Sequence, residues 1–392
     1  MLTRLVDLVA ICRERVRAVS QMILRKKSRF ALPIVFIVVS KILGAILLYE
    51  RLNQMFGRFR TPFMDMWGQG GPSQLWLYLF SGWDTAHYVA IATNWYESPR
   101  YVFFPAYSML TRAVGAMVGD LWFGAFIISF TFGLGSIPLF QLICEHYMPK
   151  EDALISTMLA TTFPYVFLFT TVSYTESLFL FFTLLTWYLH LKQRTIPSAL
   201  AAAVTTLTKT YGITILIPIV TSLLLERKPR KILPFTLPIA TLFGWMYYLY
   251  LRTGDAFAFL TQQRYWEVQT GIGSESARNY FVSLLDFFLG ASNTVPRLDF
   301  ASIAFIVLFG YLVFNVYRVD VPLGIYSIIL YLGLLFVGNL YSYPRYFAFI
   351  FPVWLTAQGK IRSLLLLSIG IIFFLLSSYA IWIQFIMAGW VS

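Results

Sequence analysis

Charge is scarce in this chain of 392 residues: Asp, Glu, Lys and Arg make up 12%, about half the roughly 25% usual in soluble domains. Cysteine is scarcer still. Cys12 and Cys144 are the only two, too few and too far apart to specify a disulfide framework or a thiolate metal site. The histidines are His87, His146 and His190, and the last two fall near expected cytoplasmic ends, which argues against a His-rich metal site. No G-x-x-x-x-G-K-[ST], G-x-G-x-x-G or H-E-x-x-H occurs, so the common phosphate-loop, dinucleotide and zinc-protease signatures are missing. D-x-D is also absent, and with it the usual metal–diphosphate clamp for a soluble nucleotide sugar. There is no fixed-period repeat and no low-complexity tract.

Apolar residues are what the chain has: 58% of the total, with a mean hydropathy of +0.70. The long apolar runs recur from end to end and predict an all-α polytopic membrane protein. Eleven spans are expected, near 31–49, 121–143, 153–171, 176–190, 197–209, 212–225, 232–250, 300–317, 321–338, 346–358 and 363–387. The fifth and sixth are short, and one helix broken at Lys209–Gly212 is the competing reading. Basic residues decide between them, because cytoplasmic loops are enriched in Lys and Arg. Eleven spans place 18 of the 30 cations inside against seven acids, and leave the outside with eleven of each. A single span over 197–225 would put Lys192 and Arg194 on the opposite face from the cluster Glu226–Lys231. Two spans are therefore expected.

The formal net charge of +12 thus orients the chain and faces anionic lipid headgroups; it does not call for nucleic acid. Residues 1–30 form a cytoplasmic basic leader. Leu2, Leu5, Val9, Cys12, Val16, Val19 and Ile23 recur in it at helical spacing with arginines between them, which predicts an in-plane amphipathic helix. Residues 31–392 make one membrane domain. Its larger external segments are roughly 50–120 and 251–299. The first holds amphipathic, aromatic-rich pieces at Leu75–Phe80, Tyr88–Ala92 and Phe103–Val118. In it Trp76, Trp83, Trp95 and Tyr101 suit the headgroup level.

Several polar residues stand out against this background. Asp84 lies in Ser81-Gly82-Trp83-Asp84-Thr85-Ala86-His87-Tyr88. A carboxylate there suits a general base, or else an N-cap for a helix from Thr85. His87 either positions Asp84 or is one turn of a polar face. Glu176 follows Ser173 in an S-x-x-E pattern that reads as a capping box, on the same external face as Asp84. Lys209 and Arg345 sit at outer span ends beside tyrosines. Each suits an anionic lipid headgroup, or simply snorkels to the interface. Lys41 lies inside a span and needs a partner within the bundle, since burying it alone costs roughly 2.5–3.5 kcal/mol.

The ordered set Trp83-Asp84-x-x-His87-Tyr88, Phe103-Phe104-Pro105-x-Tyr107, Tyr174-Thr175-Glu176-Ser177-Leu178-Phe179, Thr208-Lys209-Thr210-Tyr211-Gly212, Gly254-Asp255 with Phe259 and Trp266, and Arg345-Tyr346 resembles the GPI mannosyltransferase 2 (PIG-V-like) family. Two positions depart from its pattern: Lys209 stands for an Arg, and Ala256 for a Pro. The resemblance implies a GT-C glycosyltransferase fold with its site on the extracytoplasmic side. It implies a polyprenyl- or dolichyl-phosphate sugar donor, usually mannose, and a glycolipid or glycan acceptor. On it, Asp84 is the catalytic base with His87 and Glu176 beside it. Lys209, Arg345 and Arg264 face the donor phosphate. Trp83, Tyr88, Tyr211, Asp255, Trp266 and Tyr346 line the substrates. No cofactor and no metal are expected. A transporter or flippase of lipid-linked sugars is the competing class. The absence of any N-x-[ST] sequon leans toward a prokaryotic plasma membrane.

Overall fold

The computed structural model describes residues 28–56, 71–263, 289, 300–337, 342–357 and 364–387. The amphipathic leader up to residue 27, and with it Arg264 and Trp266, lies outside the described residues. Among those described the chain is helical with no strand. Four helical stretches are long and apolar enough to cross a membrane: Arg29–Gln54, Leu121–Tyr147, Pro229–Thr253 and Leu365–Ile386. Shorter apolar helices lie at Thr195–Thr206, Thr210–Leu225, Ile303–Val316 and Val321–Leu335.

In chain order the helices are α1 (Ser28–Phe56), α2 (Asp84–Asn94), α3 (Pro105–Val118), α4 (Leu121–Tyr147), α5 (Lys150–Thr162), α6 (Pro164–Phe169), α7 (Thr175–Leu191) and α8 (Thr195–Thr206). They continue with α9 (Leu216–Leu225), α10 (Thr236–Thr253), α11 (Ala258–Thr261), α12 (Phe300–Val316), α13 (Val321–Val337), α14 (Tyr343–Ala348) and α15 (Leu364–Ile386). The outward faces of α1, α10, α12 and α15 carry exposed Val, Leu, Ile and Phe, as helices bordered by lipid do. Inside, one large aromatic and aliphatic cluster joins α4 to α9, α12 to α15 and the 3-10 helix Phe351–Ala357.

Three breaks shape the middle of the bundle. Pro164 forces the residue before it out of helical geometry, and Phe163 accordingly adopts φ −56°, ψ 131°. The span expected at 153–171 is therefore two pieces, α5 and α6. The chain then turns through Thr170–Tyr174 into α7. This turn lies hard against α4, where a Cβ on Gly133 would stand 2.6 Å from the Thr170 carbonyl oxygen. Between α8 and α9 the chain reverses at Lys209. Gly212, in the 3-10 helix Thr210–Ile215, abuts the Thr205 backbone so closely that a Cβ would collide with the Thr205 carbonyl oxygen. That contact makes 195–225 a hairpin rather than one broken helix. The third break corrects an expectation. The span expected at 346–358 is not one helix over the described residues: α14 ends at Ala348 and a 3-10 helix covers Phe351–Ala357, with Phe351, Val353 and Leu355 buried.

Lys41 has found its partner. Its ammonium, 2% exposed, donates to the Thr170 carbonyl at 2.7 Å and to Thr170 Oγ1 at 3.0 Å. The rings of Phe167 and Phe130 flank it at 5.5 and 5.9 Å. The charge thus serves the end of α6, where carbonyls run out of intrahelical donors. The charge count also predicts which groups share a face. Arg29 and Glu145, both assigned to the cytoplasmic side, pair at 3.2 Å. Tyr147 donates to Asp320 at 3.2 Å.

Candidate active site

Four of the groups assigned to the outer side, Asp84, Glu176, Lys209 and Arg345, come together near the start of α2. Trp83, φ 46°, ψ −115°, occupies a positive-φ conformation that a bulky residue adopts at a cost of order 1–3 kcal/mol. It turns the chain so that α2 begins at Asp84 itself. Trp83 is the N-cap residue, and no side chain caps this helix, so Asp84 is not the N-cap that one reading expected. Docking to the Thr170–Tyr174 turn holds the helix end in place. Thr85 Oγ1 donates to the Ser173 carbonyl at 3.0 Å, the Ser173 amide donates to the Phe80 carbonyl at 2.8 Å, and the Asp84 amide donates to the Tyr174 hydroxyl at 3.2 Å. The turn is itself pinned to α4. Ser129 Oγ accepts from the Tyr174 amide and donates to the Tyr174 carbonyl, both at 3.0 Å, and Tyr107 lies 2.7 Å from Ser129.

Glu176 stands one turn inside this platform. The S-x-x-E capping box does not form: Tyr174 is the N-cap of α7, and no side chain caps it. Glu176, 2% exposed, instead takes Lys209 Nζ on Oε1 at 2.9 Å, and the same oxygen lies 3.7 Å from Arg345 Nε. Thr175 Oγ1 approaches Oε2 at 3.4 Å. Neither cation snorkels outward; both are pulled into the bundle beside the carboxylate. Lys209 lies 5.7 Å from the Tyr211 ring centre. Arg345 is enclosed by Tyr346 at 4.8 Å, Phe169 at 5.1 Å and Tyr174 at 5.9 Å.

Two polar groups in this cluster are left open. Among the described residues the Asp84 carboxylate accepts no hydrogen bond. Arg345 donates to Tyr346 at 3.0 Å, but its buried Nε has no hydrogen-bond acceptor, because 3.7 Å is an ion-pair distance and too long for a hydrogen bond. Burial pushes the Asp84 carboxyl above the usual carboxylate range. Arg345 pulls it back down, Glu176 adds to the rise, and Lys209 opposes it. A carboxyl so raised is a better proton acceptor than an ordinary one.

The remaining expected site residues divide. His87 stacks on Phe103 at 5.3 Å. Burial, with Arg100 nearby, lowers it to about 4, so it is a neutral imidazole at neutral pH and adds no charge beside Asp84. Tyr88 is 4% exposed, packed edge-on against Phe103, Tyr107 and Tyr174, and belongs to the core under the site. Asp255 is not drawn into the cluster. Its Oδ1 accepts from the Phe257 amide at 2.8 Å and its Oδ2 from Thr261 at 2.7 Å, so it orders its own turn. Trp83, Tyr211 and Tyr346 remain partly exposed around the charges. Tyr101, expected at the headgroup level, is buried against Tyr96. Tyr174 and Phe169 are additions from the structure. Tyr174 lies within the quoted Tyr174-Thr175-Glu176 run, but nothing in that run marks it as the partner of both Asp84 and Arg345.

No protein-family model matches this chain, and no curated protein matches it. Fold and site place it among all-α proteins with apolar helices of membrane-crossing length and a buried ionic cluster at one end of the bundle.

Proposed function

We propose that the protein is a membrane glycosyltransferase of the GT-C kind, multi-pass, with its site on the extracytoplasmic side. It moves a sugar, mannose by the family resemblance, from a polyprenyl- or dolichyl-phosphate donor to a glycolipid or glycan hydroxyl. The observation that carries this reading is the proximity of two groups: the Asp84 carboxylate, which accepts no hydrogen bond among the described residues and feels the Arg345 charge, and the Arg345 guanidinium, whose buried Nε has no acceptor among them. Together they offer a base beside a seat for a phosphate oxygen.

The reaction is a single displacement. The acceptor hydroxyl oxygen bonds to the anomeric carbon as the bond from that carbon to the phosphate oxygen breaks. The hydroxyl proton passes to Asp84. The lipid phosphate leaves with the bonding electron pair, and its new charge falls next to Arg345, with Lys209 behind. Preorganised cations act most strongly where charge develops in a water-poor site. A β-linked donor gives an α-linked product. A leaving group of one phosphate carries less charge than a nucleoside diphosphate, and Arg345, with Lys209 paired to Glu176 behind it, answers it without a metal.

Lys41, the residue a transporter would use at mid-membrane, is committed to Thr170 beside a cavity of about 30 Å³, enough for roughly a water molecule. The test is transfer of radiolabelled mannose from polyprenyl-phosphate mannose by purified protein in detergent. Labelled product from the wild type and none from Asp84→Asn is the expected result. Movement of the donor between leaflets of a vesicle without any transfer would assign the chain to the flippase class instead.

A further inference from the structure

Lys209 and Arg345 are not equivalent, although the sequence presents them alike. Lys209 makes a close ion pair with Glu176 Oε1, at 2.9 Å, whereas Arg345 Nε stands 3.7 Å from the same oxygen and hydrogen-bonds to nothing there. One carboxylate oxygen is thus divided unequally between two cations. Its presence has a physical reason. Two buried cations side by side repel each other and lose their hydration, and an anion between them removes much of that cost. The same anion is also a hazard. A carboxylate free to close on a guanidinium makes two parallel charge-assisted hydrogen bonds, and on Arg345 it would occupy the donors that an incoming phosphate needs. Lys209 is the group that holds it back.

We propose that Lys209 serves phosphate binding only through Glu176: it draws the carboxylate away from Arg345 and so keeps the guanidinium open to the phosphate of a lipid. Arg345 is then the phosphate ligand, and Lys209 and Glu176 are positioning residues. This inference rests on the lipid-phosphate reading of the site. It deepens that reading by dividing roles that residue type alone does not separate.

Binding of dodecyl phosphate to the purified protein in detergent micelles, measured by titration calorimetry, tests it with a double-mutant cycle. Lys209→Met frees Glu176 to close on Arg345, and affinity is expected to fall about tenfold or more. Glu176→Gln removes the competitor, and affinity is expected to equal or exceed the wild type. The pair Lys209→Met/Glu176→Gln loses one charge of each sign, and affinity is expected to return to within about threefold of the wild type. A direct ligand would give the opposite: a double variant as weak as Lys209→Met, with a melt like the wild type, overturns the proposal. Should Lys209→Met alone not fold, the double variant decides by itself, near-wild-type affinity supporting the proposal and a tenfold loss overturning it.

Arg345→Ala keeps the two levels apart. Unchanged affinity in that variant would remove the phosphate site altogether. A loss there together with a weak double variant would remove only the role given to Lys209. Inorganic phosphate titrated in place of dodecyl phosphate separates the sources of the anion. Binding about tenfold weaker than the lipid analogue is expected, and equal affinity would overturn the assignment to a lipid.

Discussion

Replacing Asp84 by Asn keeps the shape of the side chain and removes its basicity. The Asp84 amide stays on Tyr174 at 3.2 Å, and Thr85 stays on Ser173, so α2 keeps its seat. What is lost is proton acceptance in the transition state, typically a factor of about 10²–10⁴, or roughly 3–5 kcal/mol of barrier. Stability is expected to move the other way. Burial raises the Asp84 carboxyl above its ordinary value, so the fold favours the neutral form, and the ionised group weighs against the folded state at pH above that raised value. A neutral amide removes this term, and the melting temperature should equal or exceed that of the wild type. Labelled transfer measured beside a thermal melt and a dodecyl phosphate titration reads all three quantities on one preparation. Turnover within a factor of about ten of the wild type, in a protein with an unchanged melt, would refute Asp84 as the base. A collapsed melt would show instead that the carboxylate supports the fold.

The cations, the pH response, the metal and Lys41 give further tests. Arg345→Ala should weaken donor binding far more than acceptor binding, read by separate titrations. The acid limb of kcat/KM should lie above the value of about 3.9 for an unperturbed Asp; it should move to higher pH in Arg345→Ala and to lower pH in Glu176→Gln, because Arg345 lowers and Glu176 raises the Asp84 carboxyl. Transfer should survive exhaustive EDTA treatment; loss on chelation with recovery on adding Mg²⁺ or Mn²⁺ would recast Asp84 and Glu176 as metal ligands. Lys41→Met should lower stability by about 1–3 kcal/mol by leaving the buried Thr170 carbonyl without its donor, and an unchanged melt would show that this carbonyl finds another partner.

Local pattern was enough for the helical, apolar class of the protein and for several groups of charged residues that meet. Apolar runs report helices whose backbone is satisfied internally. The distribution of Lys and Arg reports topology, because their cost in lipid depends little on the rest of the fold. Hence Arg29 finds Glu145, and Asp84, Glu176, Lys209 and Arg345 gather at one place, as the charge count predicts. The turn at Lys209–Gly212 was legible for the same reason. Neighbourhood was not legible. An S-x-x-E run reads as a cap, yet Glu176 is claimed by cations 33 and 169 residues away, and such a pair leaves no mark in local spacing. Residues 346–358 are as apolar as a span, but burial against protein and burial against lipid select the same residue types. Tyr88 suits a sugar platform or a core equally well, and only packing against Tyr107 and Tyr174 made it core. Sequence therefore determined the helical, apolar character and which charged groups are candidates to meet; the tertiary structure decided which of them touch, because contact between distant segments depends on how whole helices pack and not on the residues beside each one.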